Sequence, residues 1–277
     1  MLTLPFDLNR TRNNADALVS FARTNARVAR GASYFQSLDL LQFRESSLAP
    51  WEMQLVFSYE RPGGNALRDV LLASPELPPE ATSTPLPLER QAEVAATVAH
   101  ARVMLREVHP EAERLIETLL ALVVVTRVQG VASASFAKAV GVAWLSPGDA
   151  WTTTDFAEHL LHEACHQELF LDEMVNGLFA TSRVTMRTDA QATVRSPIRG
   201  TPRTYAASFH GAAVGVYLVW LFHGLGLASR ARELLHGLDR SFEELFEKRR
   251  YLTENGVARL THLRDCFESY TRSLDSI

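Results

Sequence analysis

Residues 162–166 read His-Glu-Ala-Cys-His, and no other feature of the 277-residue chain constrains its folding so tightly. Two imidazoles four residues apart share a face only on a helix, where they stand about 6 Å apart at Cβ and can converge on one ion. Glu163 can then reach a metal-bound water from the side without being a ligand. Five-residue patterns of this kind also arise by chance, as two solvated histidines on a helix. Here the surroundings favour a metal, because Phe156, Leu160, Leu161 and Leu169 give the same segment an apolar face. Asp155 and Glu158 have capping-box spacing, so the predicted helix opens there and runs to about Asn176, with Gly177 as its stop. Val140 to Leu145 (VGVAWL) reads as a strand just before it, and Ser146-Pro147-Gly148-Asp149 as a turn.

The remaining pattern predicts an α+β chain, mostly α-helical, with a small central sheet. Asn13 to about Gly31 suits a helix, whereas Trp51 to Tyr59 suits either a strand or a buried helical turn. Five prolines between Ser74 and Leu88 exclude a regular helix and suggest a stiff surface connector. They divide a mainly helical portion, 1–88, from a motif-bearing core, 89–277, within what is expected to be one compact unit. Glu89 to Glu107 and Glu111 to about Leu119 read as helices. The β-branched run LALVVVTRV reads as a buried strand, and GVASASFAKA as a bend. Phe209 to Leu225 is apolar nearly all round and therefore a buried helix, followed by amphipathic helices over Ala228 to Lys248 and Gly256 to Leu274.

Apolar residues at 47% and charged residues at 22% exclude a disordered or fibrous chain. A net charge of −4 gives no global case for nucleic acid, and two cysteines, Cys165 and Cys266, make no disulfide framework. The apolar stretch Gly211–Phe222 is too short to span a bilayer, and MLTLPFDLNRTRNN lacks the apolar run of a signal peptide. A cytoplasmic protein that binds neither nucleic acid nor membrane is expected.

A usable metal site needs a third ligand and an open position. Asp172, six residues after His166, points about 240° away from it on an unbroken helix and is rejected. Between Glu173 and Glu233 the only carboxylate is Asp189, so a second-helix glutamate would have to come from Glu233 or later. His159, one turn before His162, suits a supporting or surface role better than a ligand role. His210 opens the buried apolar helix, where a histidine is more often a hydrogen-bonded core residue than a ligand. It stands, however, behind a stretch carrying Arg195, Arg199 and Arg203. Pro197, Gly200 and Pro202 keep that stretch from being a helix, and no acidic residue occurs from Ala190 to Arg232. Arg195 reads as solvated, while Arg203, seven residues before His210, suits a carboxylate-binding fork.

The segments SASF…VGVAWLS, LLHEACHQELF and SPIRGTPRTYAASFH together resemble the HExxH-motif peptide-modification proteins of ribosomal peptide biosynthesis. The resemblance covers about the second half of the chain. Thr204 and Ala207 depart from the family's Arg-Pro-x-x-Gly-x-x-His, and the portion up to about Leu88 matches nothing recognisable. The family implies a non-haem Fe(II), 2-oxoglutarate-dependent oxygenase that hydroxylates a side chain of a ribosomal precursor peptide. Carried over, His162, His166 and His210 hold the metal, and Arg203, with Arg199 beside it, binds 2-oxoglutarate. Three histidines would be a variant of the usual two-histidine, one-carboxylate triad. The role of Glu163 then lies between a catalytic base and a residue that orients a ligand. Ser133 and Ser135 stand as candidates for the pocket wall.

A zinc metallopeptidase with Glu163 as general base is the alternative enzyme, and a non-catalytic peptide-binding protein is a third reading. Cys165 lies on a different helix face from His166 and suits a small buried apolar residue better than a zinc ligand. The arginines at 10, 12, 23, 27 and 30 suit a solvated helix face more than a leader-peptide site. The amphipathic C-terminal helices suit either a homodimer interface or packing on their own core.

Overall fold

The buried strand β3 (Leu122–Val128) organises the first half of the chain. A computed structural model describes residues 2–25, 53–60, 63–74, 77 and 80–276. The chain is α+β and mostly helical, with a small mixed sheet of five strands. It divides into two compact units, one formed by Leu8–Leu171 and the other by Met1–Asp7 with Asp172–Ile277. The proline-rich stretch lies inside the first.

In the first unit, α1 (Leu8–Asn25), α2 (Gly64–Leu72), α3 (Leu88–Val108) and α4 (Pro110–Leu119) accompany the sheet. Parts of two sequence readings, the helix end near Gly31 with Arg27 and Arg30 and the beginning of the Trp51 segment, lie outside the described residues. The rest of the Trp51 segment resolves as a strand, β1 (Gln54–Val56), parallel to β3 from Leu122 to Val124. A second short strand, β2 (Ser83–Pro85), leaves the proline-rich stretch and pairs antiparallel with the end of β3. On the far side of β3 runs parallel β5 (Val142–Leu145), whose other neighbour is antiparallel β4 (Ser133–Ser135). The order is β1-β3-β5-β4, with β4 at the edge.

The supposed bend at Ser133 is thus an edge strand. Its period of two explains why: Ser133 and Ser135 take one face, while Ala134 and Phe136 take the other. On that second face Phe136 meets Trp144 edge-on, with centroids 5.4 Å apart. Leu67, Leu71, Leu122, Val124, Val142 and Trp144 form the core there. Each fully buried side chain of this size contributes about 1.5–3 kcal/mol.

The motif helix α5 spans Thr153–Asn176. Its capping box is Thr152 with Asp155, one register earlier than the expected Asp155 with Glu158. The Thr152 backbone N–H donates to Asp155 Oδ2 at 2.8 Å, and the Asp155 N–H donates back to Thr152 Oγ1 at 3.4 Å. Gly177, at φ +69°, ends the helix in the left-handed region. Buried Gln167 joins α5 to the start of β5. Its Oε1 accepts from the Gly141 N–H and its Nε2 donates to the Val142 carbonyl, both at 2.9 Å. Gly141, at φ +85°, makes the turn that aims both groups.

In the second unit, α7 (Tyr205–Gly224) is buried on nearly every side, which explains its lack of a polar stripe. It is the one described helix long and apolar enough to cross a membrane, and 89% of that window is buried. Helices α8 (Ala228–Glu247) and α9 (Glu254–Asp275) pack against it. Gly215 permits the close approach to α8, since a Cβ there would meet Leu238 Cδ2 at 2.9 Å. Residues near the N-terminus close this core, with Phe6 against Tyr217 and Trp220. The short helix α6 (Arg183–Thr188) and a hairpin of β6 (Thr193–Arg195) and β7 (Pro202–Thr204) precede α7. The arginine loop of the sequence is that hairpin.

Candidate metal centre

His162 and His166 project from successive turns of α5, their ring centroids 4.9 Å apart and their planes at 66°. An ion about 2.1 Å from one nitrogen of each ring lies roughly 3.2 Å from each centroid, so this spacing corresponds to an N–metal–N angle of about 100°. That falls between octahedral and tetrahedral values, and the pair fits a first-row divalent ion. Both residues are partly exposed.

Glu163 supplies the second half of the fit. Its side chain is buried, and Oε1 lies 3.9 Å from His162 Nε2. Neither carboxylate oxygen completes a hydrogen bond of good geometry, and the same holds for the buried hydroxyl of Ser135. Ser133 and Ser135 nevertheless stand near enough to pull the carboxyl's pKa down in part. Burial outweighs them and pushes it up to about 7. A buried acid without full satisfaction is costly, and a cation beside the imidazoles would offset that cost.

The neighbours of this cluster are ordered. Ser133 Oγ and His159 Nδ1 are 2.9 Å apart, and the His159 ring stacks on Trp151 at 4.2 Å with planes 3° apart. His159 is thus held between Ser133 and Trp151. Cys165 is buried and forms no disulfide. Asp172 is also buried, its Oδ1 accepting from Asn176 Nδ2 at 2.7 Å.

In the second unit His210 is buried at the start of α7, and the guanidinium on it belongs to Arg183, which sequence reading did not single out. Arg183 Nη2 lies 2.9 Å from His210 Nε2. Arginine can only donate, so this bond makes Nε2 the acceptor and places the ring hydrogen on Nδ1. Coordination through Nε2 would require Arg183 to leave it. Arg183 also pairs bidentately with Glu173 and lies over the Phe179 ring at 5.5 Å. Arg203 is on β7, half-buried, and Arg199 is exposed at the hairpin turn. Arg195, read as solvated, donates from Nη1 to the Gly200 carbonyl at 2.6 Å. No sequence signal marked Arg183. Nor did any mark Gln167, whose partners lie 25 and 26 residues away.

Among the described residues, no group of three His, Cys, Asp or Glu side chains gathers in a metal-binding cluster. The structure thus brings together His162, His166, Glu163, Ser133, Ser135 and His159 in the first unit, and His210, Arg183 and Glu173 in the second. No protein-family model matches the chain, and no curated protein matches it. What distinguishes the site is its own geometry: two imidazoles on successive helical turns beside a buried, incompletely bonded carboxylate.

Proposed function

We propose that the chain is a cytoplasmic Fe(II)- and 2-oxoglutarate-dependent oxygenase that hydroxylates a side chain of a ribosomally made precursor peptide. The observation that carries a metal-dependent reading is the buried Glu163 carboxylate, incompletely bonded beside two convergent imidazoles. His162 and His166 would hold the ion; when bound with 2-oxoglutarate, it would supply oxygen activation. The oxygenase assignment itself comes from the resemblance of the second half of the sequence. His210 as third ligand, and Arg203 with Arg199 for the ketoacid carboxylate, rest on the same resemblance.

The chain's own groups have definable tasks. Glu163, its Oε1 3.9 Å from His162 Nε2, would accept a hydrogen bond beside the ion. The carboxylates that follow the motif, like His210 under Arg183, have partners of their own. Asp172 is bonded to Asn176, Glu173 to Arg183, and Asp189 to Tyr251 at 2.6 Å.

The zinc metallopeptidase has one observation in its favour. A carboxyl with a pKa near 7 is well matched to general-base work at neutral pH. Succinate release separates the two. Anaerobic protein with Fe(II) and 2-oxoglutarate, on admission of oxygen, is expected to release succinate above a His162→Ala control. Zinc-dependent peptide cleavage without succinate would replace the oxygenase by the peptidase.

A further inference from the structure

We propose that Ser133 and Ser135 are positioning residues for Glu163, holding its carboxylate toward a water beside the two imidazoles. This rests on the reading that His162 and His166 bind a metal, and it assigns the edge strand β4 a part in that centre.

Ser133 and Ser135 are two residues apart on a three-residue strand, so both hydroxyls leave the sheet on one face. Register fixes which face. They pair with Leu145 and Ala143 of β5, opposite the side on which Phe136 packs against Trp144. The serines' face is the one toward α5, because Ser133 bonds His159 and both hydroxyls stand by Glu163.

Ser133 is itself held. With its Nδ1 protonated, His159 donates to Ser133 Oγ, which frees the hydroxyl hydrogen to be aimed at Glu163. Stacking on Trp151 fixes the plane of the His159 ring. Trp151, His159 and Ser133 thus make a chain that ends at the carboxylate. Ser135 has no such support, and its buried hydroxyl, like both Glu163 oxygens, completes no hydrogen bond of good geometry. Three incompletely satisfied polar atoms, Ser135 Oγ and the two Glu163 oxygens, thus lie together and call for a further hydrogen-bonding group. A water between Ser135 and Glu163, beside the imidazoles, satisfies all of them. An arrangement of this kind around a metal commonly affects its affinity about 10- to 100-fold.

Cobalt(II) is the probe, added alone to the full-length chain and followed by its d–d absorption. Glu163→Gln and the pair Ser133→Ala with Ser135→Ala are each expected to weaken cobalt binding about tenfold. The triple variant is expected to be no weaker than either, because the serines act through Glu163. Ser133→Thr with Ser135→Thr keeps both hydroxyls and is expected to keep the affinity. Additive losses, about a hundredfold in the triple variant, would overturn the proposal, as would unaltered binding in the double-alanine protein. Near-ultraviolet circular dichroism checks the fold. If the double-alanine protein does not fold, Ser135→Ala alone is judged by the same criterion. Failure of the unaltered chain to bind cobalt would overturn both this inference and the metal reading, whereas binding with additive losses would overturn this inference alone.

Discussion

Replacing Glu163 by Gln is expected to stabilise the metal-free protein at neutral pH, and the size of the effect follows from burial. The carboxyl rises from an ordinary 4.5 to about 7 in the folded chain. At about 1.36 kcal/mol for each pH unit, ionising it inside the fold costs about 3 kcal/mol. The sign follows from proton binding. Between pH 4.5 and 7 the unfolded chain has released this proton and the folded chain still holds it, so stability falls as pH rises. Glu163's contribution is fully present below pH 4.5 and lost once pH passes about 7. Glutamine has nearly the same size and no charge to desolvate. Urea unfolding of both proteins in a chelating buffer, from pH 4.5 to 8.5, gives the comparison directly. The two stabilities are expected to diverge by about 3 kcal/mol up to pH 7 and then to run parallel. Parallel curves across the whole range would refute the claim that Glu163 is desolvated.

Two further substitutions test the scaffold on each unit. Gln167→Leu removes the amide that bonds both Gly141 and Val142, leaving a buried donor and acceptor unpaired. It is expected to cost about 2–4 kcal/mol in urea unfolding. Arg183→Met breaks the pair with Glu173 and the bond to His210. Because the guanidinium is partly exposed, a loss of about 1–2 kcal/mol is expected, together with a change in the His210 imidazole resonances in NMR spectra.

The sequence made the helices and the motif legible, because hydrophobic period and caps are local. The strand Val142–Leu145, the helix Thr153–Asn176 and the buried helix Tyr205–Gly224, expected over Val140–Leu145, from Asp155 and from Phe209, follow from patterns within a few turns, apart from their first residues. The capping box was read three residues late because Asp155 and Glu158 have the same spacing as Thr152 and Asp155. Only the hydrogen bonds distinguish them. The edge strand at Ser133 was hidden because three residues are too short for periodicity to outweigh a Gly/Ser-rich composition. Arg183 was hidden for a different reason. Its bonds to Glu173 and His210 span 10 and 27 residues, and no local pattern encodes them. The Ser133–His159 bond, 26 residues apart, is the same case. His162, Glu163 and His166, by contrast, are brought together by one helix, so spacing alone revealed them.

Fe(II) titrated anaerobically into the unaltered chain by calorimetry is expected to bind at one per chain. His162→Ala and His166→Ala are each expected to weaken that binding at least about a hundredfold, as removal of a ligand should. Binding of equal strength in both variants, or none in the unaltered chain, would contradict a metal centre on this helix.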